Sequence, residues 1–164
     1  MKSVRLAAFA LALLLAGCGE QSAKAPRAGE LLRPFATQTL AGAPLSLPEA
    51  AVGKVVVLSF WTTWCAFCKD EMSAAEPLWQ AEQGRGLMVL AINAGQKPGE
   101  IEKFVADLGI SYPVLLDPEG KITRDYGVTG LPMTFIVGRD GTVRHRILGA
   151  SDLAGFRKMV EGLL

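Results

Sequence analysis

Cys65 and Cys68 are the residues best equipped for chemistry in this chain. They stand two residues apart in Trp61-Thr62-Thr63-Trp64-Cys65-Ala66-Phe67-Cys68-Lys69-Asp70-Glu71. An apolar β-branched run, Val55-Val56-Val57-Leu58-Ser59-Phe60, precedes them and a helical pattern follows. Two thiols spaced this way at a strand-to-helix handover read as a redox pair. A helix starting near Ala66 would put Cys65 at its N-terminus, where unpaired N–H groups and the helix dipole favour an anion. Cys65 would then be the attacking thiolate. Cys68, one turn on, would be the more buried partner that resolves a mixed disulfide. A structural bridge or a pair of inert core thiols is the alternative, although so short a loop constrains the unfolded chain little. Metal binding is the other rival. It needs more ligands than two thiols and the single histidine, His145, which falls far along the sequence in a strand. No metal and no cofactor beyond the cysteine pair is therefore expected. A peroxidase would need an activated cysteine in a Pro/Thr-rich loop, and none is present.

The elements that must position these thiols follow from periodicity. Lys54 to Phe60 does not alternate and predicts a strand buried on both faces. Ala66 to Gln83 predicts a helix, with Met72, Ala75, Leu78 and Trp79 on its apolar side and a kink at Pro77. Leu87 to Ile92 is a second buried strand, and Pro98 to Leu108 a helix stopped by Gly109. Short strands are expected at Phe35 to Leu40, the first ended by a turn at Ala41 to Pro44, and at Val114 to Leu116. Ile122 to Tyr126 predicts a helical turn or two. Met133 to Val137 and Thr142 to Leu148 form a hairpin about Gly138-Arg139-Asp140-Gly141. Ser151 is the expected cap of a last helix running through Leu163. The order predicts an α/β fold with a mixed sheet.

The N-terminus reads as an export signal. Lys2 and Arg5 precede an apolar run, Leu6 to Ala16, too short to span a bilayer. Leu15-Ala16-Gly17-Cys18 resembles a bacterial lipobox, in which the cysteine is lipidated and becomes the first mature residue; an ordinary cleaved signal is the alternative. The expected organisation is a signal peptide over 1–17, a lipidated Cys18 with a flexible tether over 18–30, and one domain over 31–164. That places the protein in the cell envelope, held to the membrane by lipid and facing the extracytoplasmic side, where a disulfide can persist. The 17 basic and 16 acidic residues nearly balance, which argues against nucleic acid as a partner.

Phe60-Trp61-x-x-Trp64-Cys65-x-x-Cys68-Lys69-x-Glu71-Met72 resembles the active-site segment of the TlpA/ResA-like thiol–disulfide oxidoreductases, exported membrane-tethered relatives of thioredoxin. Tyr112-Pro113-Val114-Leu115-Leu116-Asp117, Tyr126-Gly127-Val128 and Gly130-Leu131-Pro132-Met133-Thr134-Phe135-Ile136-Val137 resemble further stretches of that family. The resemblance implies a thioredoxin-like fold: a central mixed sheet flanked by helices, with an insertion after the second βα unit that begins around Asn93. It implies a Cys65–Cys68 redox disulfide, a cis bond before Pro132, and a Leu131 backbone open to a substrate chain. Pro132 could otherwise be a plain strand-start proline. Glu71 matches an acid that would exchange a proton with Cys68, and Ser59 stands where cytosolic thioredoxins carry a buried aspartate. A solvated glutamate stabilising the helix dipole is the other reading of Glu71. Trp64 would shield the sulfur, and Trp61 would be core.

The implied partners are a protein disulfide substrate, with apocytochrome c the family precedent, and a membrane-borne thiol electron donor. Three positions depart from the family pattern. Phe67 replaces a proline before the second cysteine, Ser73 replaces one after Glu-Met, and Leu131 is apolar before Pro132.

Overall fold

The computed structural model describes residues 24–164. The proposed signal peptide, Cys18 and the first part of the tether lie outside the described residues. Among those described, no helix is long and apolar enough to cross a membrane.

The elements are β1 (Phe35–Gln38), β2 (Pro44–Leu47), β3 (Val55–Trp61), α1 (Ala66–Glu82), β4 (Leu87–Ala94), α2 (Pro98–Asp107), β5 (Val114–Asp117), α3 (Lys121–Asp125), β6 (Met133–Val137), β7 (Val143–Leu148) and α4 (Leu153–Glu161). Five strands form the main sheet in the order β5-β4-β3-β6-β7. β3 runs parallel to β4, and β4 to β5, while β6 is antiparallel to both β3 and β7. β3 is thus central, and all seven of its residues are buried, as a run without alternation requires when both faces are covered.

Side chains on a strand point alternately to the two faces, and β3 divides the core accordingly. Val55, Val57 and Trp61 pack with Met72, Ala75 and Leu78 of α1 and with Phe156 and Val160 of α4. Ile101 of α2 joins this layer, and Trp61 stacks on Phe104 of the same helix with centroids 5.3 Å apart. Val56, Leu58 and Phe60 face the other way, toward Leu32, Leu47, Ile122 and Tyr126. There Phe60, Tyr126 and Phe135 form mutually tilted aromatic contacts. Trp61, the last residue of β3, is core.

Three local expectations change. First, β2 appears beyond the Ala41–Pro44 turn and pairs with β1 as a separate two-stranded sheet. Second, Asp152 rather than Ser151 caps α4, its carboxylate accepting from the Gly155 N–H at 2.8 Å. Third, the flexible tether expected through residue 30 is docked from its last residues onward. Ala25 is buried, and Gly29 N–H donates to the Val143 carbonyl at 2.9 Å while the Glu30 carbonyl accepts from Val143 N–H at 2.9 Å. The Arg33 guanidinium donates to the carbonyls of Lys24 and Asp125. Residues 20–30 carry no hydrophobic period, but pairing with the free edge of β7 uses backbone groups alone. Pro77 lies within α1, yet the helix continues to Glu82.

The amide of Gly29 should accordingly exchange its hydrogen far more slowly than an open chain does, in step with that of Val143. Exchange of Gly29 at open-chain rates, measured by NMR on the full chain, would show that this segment does not pair with β7.

Candidate active site

The site is built where β3 ends and α1 begins. Cys65 is the N-cap of α1, with extended φ and ψ of −86° and 101°. Its carbonyl accepts from Cys68 N–H at 3.1 Å. Cys65 and Cys68 are joined by a disulfide, with Cα atoms 5.3 Å apart. The first N–H groups of a helix have no intrahelical partner, so the sulfur of Cys65 lies at the electropositive end of a 17-residue helix. Reduction would leave the Cys65 sulfur there, with that of Cys68 one turn into the same helix. Among the described residues no three His, Cys, Asp or Glu side chains gather where they could hold a metal ion.

The surroundings of the disulfide are uneven. Cys68 is almost fully buried and Cys65 slightly less so. Trp64 and Phe67 flank them with 74% and 61% of their surfaces exposed. Phe67 joins Asp70, Glu71, Ala150, Ser151 and Leu153 around a cleft of about 230 Å³ between the first turn of α1 and the start of α4. The Leu131–Pro132 bond is cis. β6 pairs with β3 from Met133 opposite Phe60, so Leu131 lies just outside the ladder at the end of the sheet where α1 starts.

Glu71 is not a solvated first-turn glutamate. It is 6% exposed, on the α1 face that also buries Cys68 and Met72. Residues three apart on a helix are neighbours, which sets Glu71 beneath Cys68. Its Oε1 accepts from Ser59 Oγ at 3.2 Å and from Thr134 Oγ1, while its Oε2 is buried without a partner. Burial pushes the carboxyl above its ordinary value of 4.5, and the hydrogen bonds from Thr134 and Ser59 pull it part of the way back.

Gln96 escaped the sequence reading. Its amide accepts from Thr63 N–H and donates to Thr63 Oγ1, both at 2.9 Å, and it also binds the side chain of buried Asn93. This pair of hydrogen bonds ties the loop leading to Cys65 to the turn between β4 and α2. A glutamine in a polar loop carries no local pattern that would announce the role. Ser151, displaced as a cap, instead places its Oγ, buried and unpartnered, at the wall of the cleft beside Glu71. His145 sits half-buried in β7.

The AhpC/TSA family matches residues 28–146. Thiol-disulfide oxidoreductase ResA of Geobacillus thermodenitrificans is 33% identical over 111 residues, which are 68% of this chain and 64% of that protein. The chain thus spans just under two thirds of that relative's length. The chain belongs to the AhpC/TSA family and to the ResA-type thiol–disulfide oxidoreductases. Thioredoxin-like protein YneN of Bacillus subtilis is 36% identical over 124 residues, 74% of this chain and 71% of the relative. The crystal structure of a thiol:disulfide interchange protein of the thioredoxin family from Chlorobium tepidum superposes with a TM-score of 0.72 at 26% identity, covering 85% of this chain and 99% of that one. The fold is therefore thioredoxin-like, with α2 and β5 following β4 where this family's insertion is expected.

The buried carboxyl of this ResA-type chain has a consequence for stability. A carboxyl whose folded pKa lies above its unfolded value holds its proton more tightly in the fold, so its contribution is complete below the unfolded value of about 4.5 and is lost as pH rises through the folded value. Denaturant melts of the oxidised protein should show this loss between about pH 4.5 and the raised value, and Glu71→Gln should remove it. Parallel curves for the two proteins across that range would show that Glu71 titrates normally.

Proposed function

We propose that the protein reduces protein disulfides through a Cys65/Cys68 dithiol–disulfide cycle. The observation that carries this is Cys65 as N-cap of α1, disulfide-bonded to Cys68 one turn away with Glu71 buried beneath. In the reduced protein the Cys65 thiolate attacks one sulfur of a substrate disulfide. A mixed disulfide forms and one substrate thiolate leaves. Glu71 takes the proton of Cys68, whose thiolate attacks the Cys65 sulfur. The second substrate sulfur departs as a thiolate, to which Glu71 can return the proton, the Cys65–Cys68 disulfide is formed, and two electrons have passed to the substrate. An external dithiol then returns the pair to its reduced state.

The surface fits an extended polypeptide substrate. Leu131 precedes the β6 ladder and offers its backbone at the sheet end, next to cis Pro132. Trp64 and Phe67 give an apolar rim. Cys18, in its lipobox-like context, supports an envelope lipoprotein tethered to a membrane that also carries the dithiol donor. Apocytochrome c is the substrate proposed on the strength of the TlpA/ResA resemblance.

Cys65→Ser should abolish disulfide reduction, and Cys68→Ser should accumulate covalent substrate adducts visible by mass. Full turnover by Cys68→Ser would overturn the two-thiol cycle. The direction of transfer is read from the reduction potential, measured by equilibration with glutathione. A reductase requires a potential below about −180 mV, in the direction of the thioredoxin value near −270 mV. A higher value would make the protein an oxidant or isomerase instead.

A further inference from the structure

Below the disulfide lies a polar triangle in an otherwise apolar layer. Ser59 of β3 and Thr134 of β6 are register partners. Their side chains lie on the face of the sheet that α1 covers, in the same layer as Val57, Ala91 and Ile136. Thr134 Oγ1 is 3.0 Å from Ser59 Oγ and 2.5 Å from Glu71 Oε1, and Ser59 Oγ is 3.2 Å from the same Oε1. All three residues are less than a tenth exposed.

The proton count of this triangle is informative. Each hydroxyl has one proton and can accept as well as donate. With Glu71 ionised, two protons serve three oxygen–oxygen contacts, and both hydroxyls can donate to the carboxylate. With a proton on Oε1, three protons serve three contacts, and each oxygen donates once and accepts once. The triangle is thus hydrogen-bonded in either protonation state, the anion accepting from both hydroxyls and the acid from one, so the pair favours the carboxylate and still accommodates the acid by rotation of hydroxyl protons. A pair of fixed donors such as backbone N–H groups would favour the anion alone. An apolar pair would leave Oε1 as unpartnered as Oε2 already is, at the cost of any buried charge without donors.

We infer that Ser59 and Thr134 are positioning residues for proton exchange between Cys68 and Glu71, holding the carboxyl from two strands and adapting to both of its states. The inference rests on the proton role proposed for Glu71. The groups facing Glu71 from the packed elements are few. Cys68 and Asp70 lie on α1 itself. Tyr112 comes from the segment before β5, and its hydroxyl is committed to the Met72 carbonyl at 3.0 Å. Phe156 of α4, Val89 and Ala91 of β4, and Ser151 and Leu153 at the start of α4 complete the walls. Among the described residues no lysine, arginine or histidine lines either space beside Glu71. Ser59 and Thr134 supply, among the described residues, the side-chain donors within hydrogen-bond distance of the carboxyl.

The test follows the carboxyl directly. Full-length protein labelled with carboxyl-¹³C glutamate is titrated by NMR, with the Glu71 signal assigned by its loss in Glu71→Gln, and turnover of a model disulfide is followed against pH. Thr134→Val keeps the shape and removes one donor. It should raise the Glu71 midpoint by about one pH unit, the scale of one hydrogen bond to a charged group, and should move the pH profile of turnover the same way. Ser59→Ala should do so to a lesser degree, and Thr134→Ser should restore the wild-type midpoint. A purely structural role would lower stability in Thr134→Val and leave both midpoints in place, and that result overturns the inference. A turnover profile that responds to Glu71→Gln but not to Thr134→Val also overturns it while sparing the function proposed for Glu71. A profile indifferent to Glu71→Gln removes both together.

Discussion

One constraint organises the molecule: the central strand must end where the active helix begins. β3 is covered on both faces, so its seven buried residues are fixed by packing from every side. The chain leaves it through Thr62-Thr63-Trp64 and enters α1 at Cys65. Everything else at the site is measured from that handover. The helix N-terminus sets the electrostatics of the first sulfur. The helical repeat sets Cys68 one turn further in and Glu71 one turn beyond it. The antiparallel pairing of β3 with β6 brings Pro132 and Thr134 to the same place. A loop alone could not hold these groups to the fraction of an ångström that sulfur–sulfur exchange requires.

The site is rigid below and open above. Beneath the disulfide lie Met72, Ala75 and the apolar residues of β3 and β4. Above it the exposed Trp64 and Phe67 and the Phe67–Leu153 cleft present apolar surface to solvent. In the loop that carries Trp64, Thr62 is buried, but Thr63 is only half-buried and Trp64 is exposed. Gln96 compensates by holding Thr63 at both its backbone N–H and its hydroxyl. Gln96 belongs to the segment that opens α2, so that segment contributes to the position of Cys65 without reaching the sulfurs.

What could be read in the sequence was what packing and spacing encode. The buried strands expected over 54–60 and 87–92 and found at 55–61 and 87–94, the helix opening at Ala66 and the hairpin about Gly138 to Gly141 all follow from apolar runs and glycines. The thiol pair follows from its spacing at the strand end. The features that escaped depend on backbone or on partners distant in sequence. Gly29 and Glu30 dock on β7 through main-chain hydrogen bonds, which leave no side-chain pattern. The cap of α4 shifted by one residue because Asp152 offers a charged acceptor to Gly155 N–H that Ser151 does not. Whether Glu71 is solvated or buried is not encoded locally, since a glutamate two turns into a helix can lie on either face. Its burial is decided by Ser59, 12 residues before it, and Thr134, 63 residues after it.

That separation explains why the acid sits on the helix rather than on the strand. An aspartate at position 59 would face the same space as Glu71, and two buried carboxyls at hydrogen-bond distance cannot both ionise. Serine there is small enough to leave room and polar enough to serve as a donor. The carboxyl then shares a helix with Cys68, three residues away, and their spacing is fixed by helical geometry rather than by how helix packs on sheet. A strand-borne acid would move relative to the sulfur with every small shift of α1. Here such a shift changes the distance from Glu71 to the hydroxyls and leaves its distance to Cys68 unchanged. Under the proton role proposed for Glu71, a movement of α1 on the sheet would therefore alter how strongly the carboxyl holds its proton without separating it from Cys68.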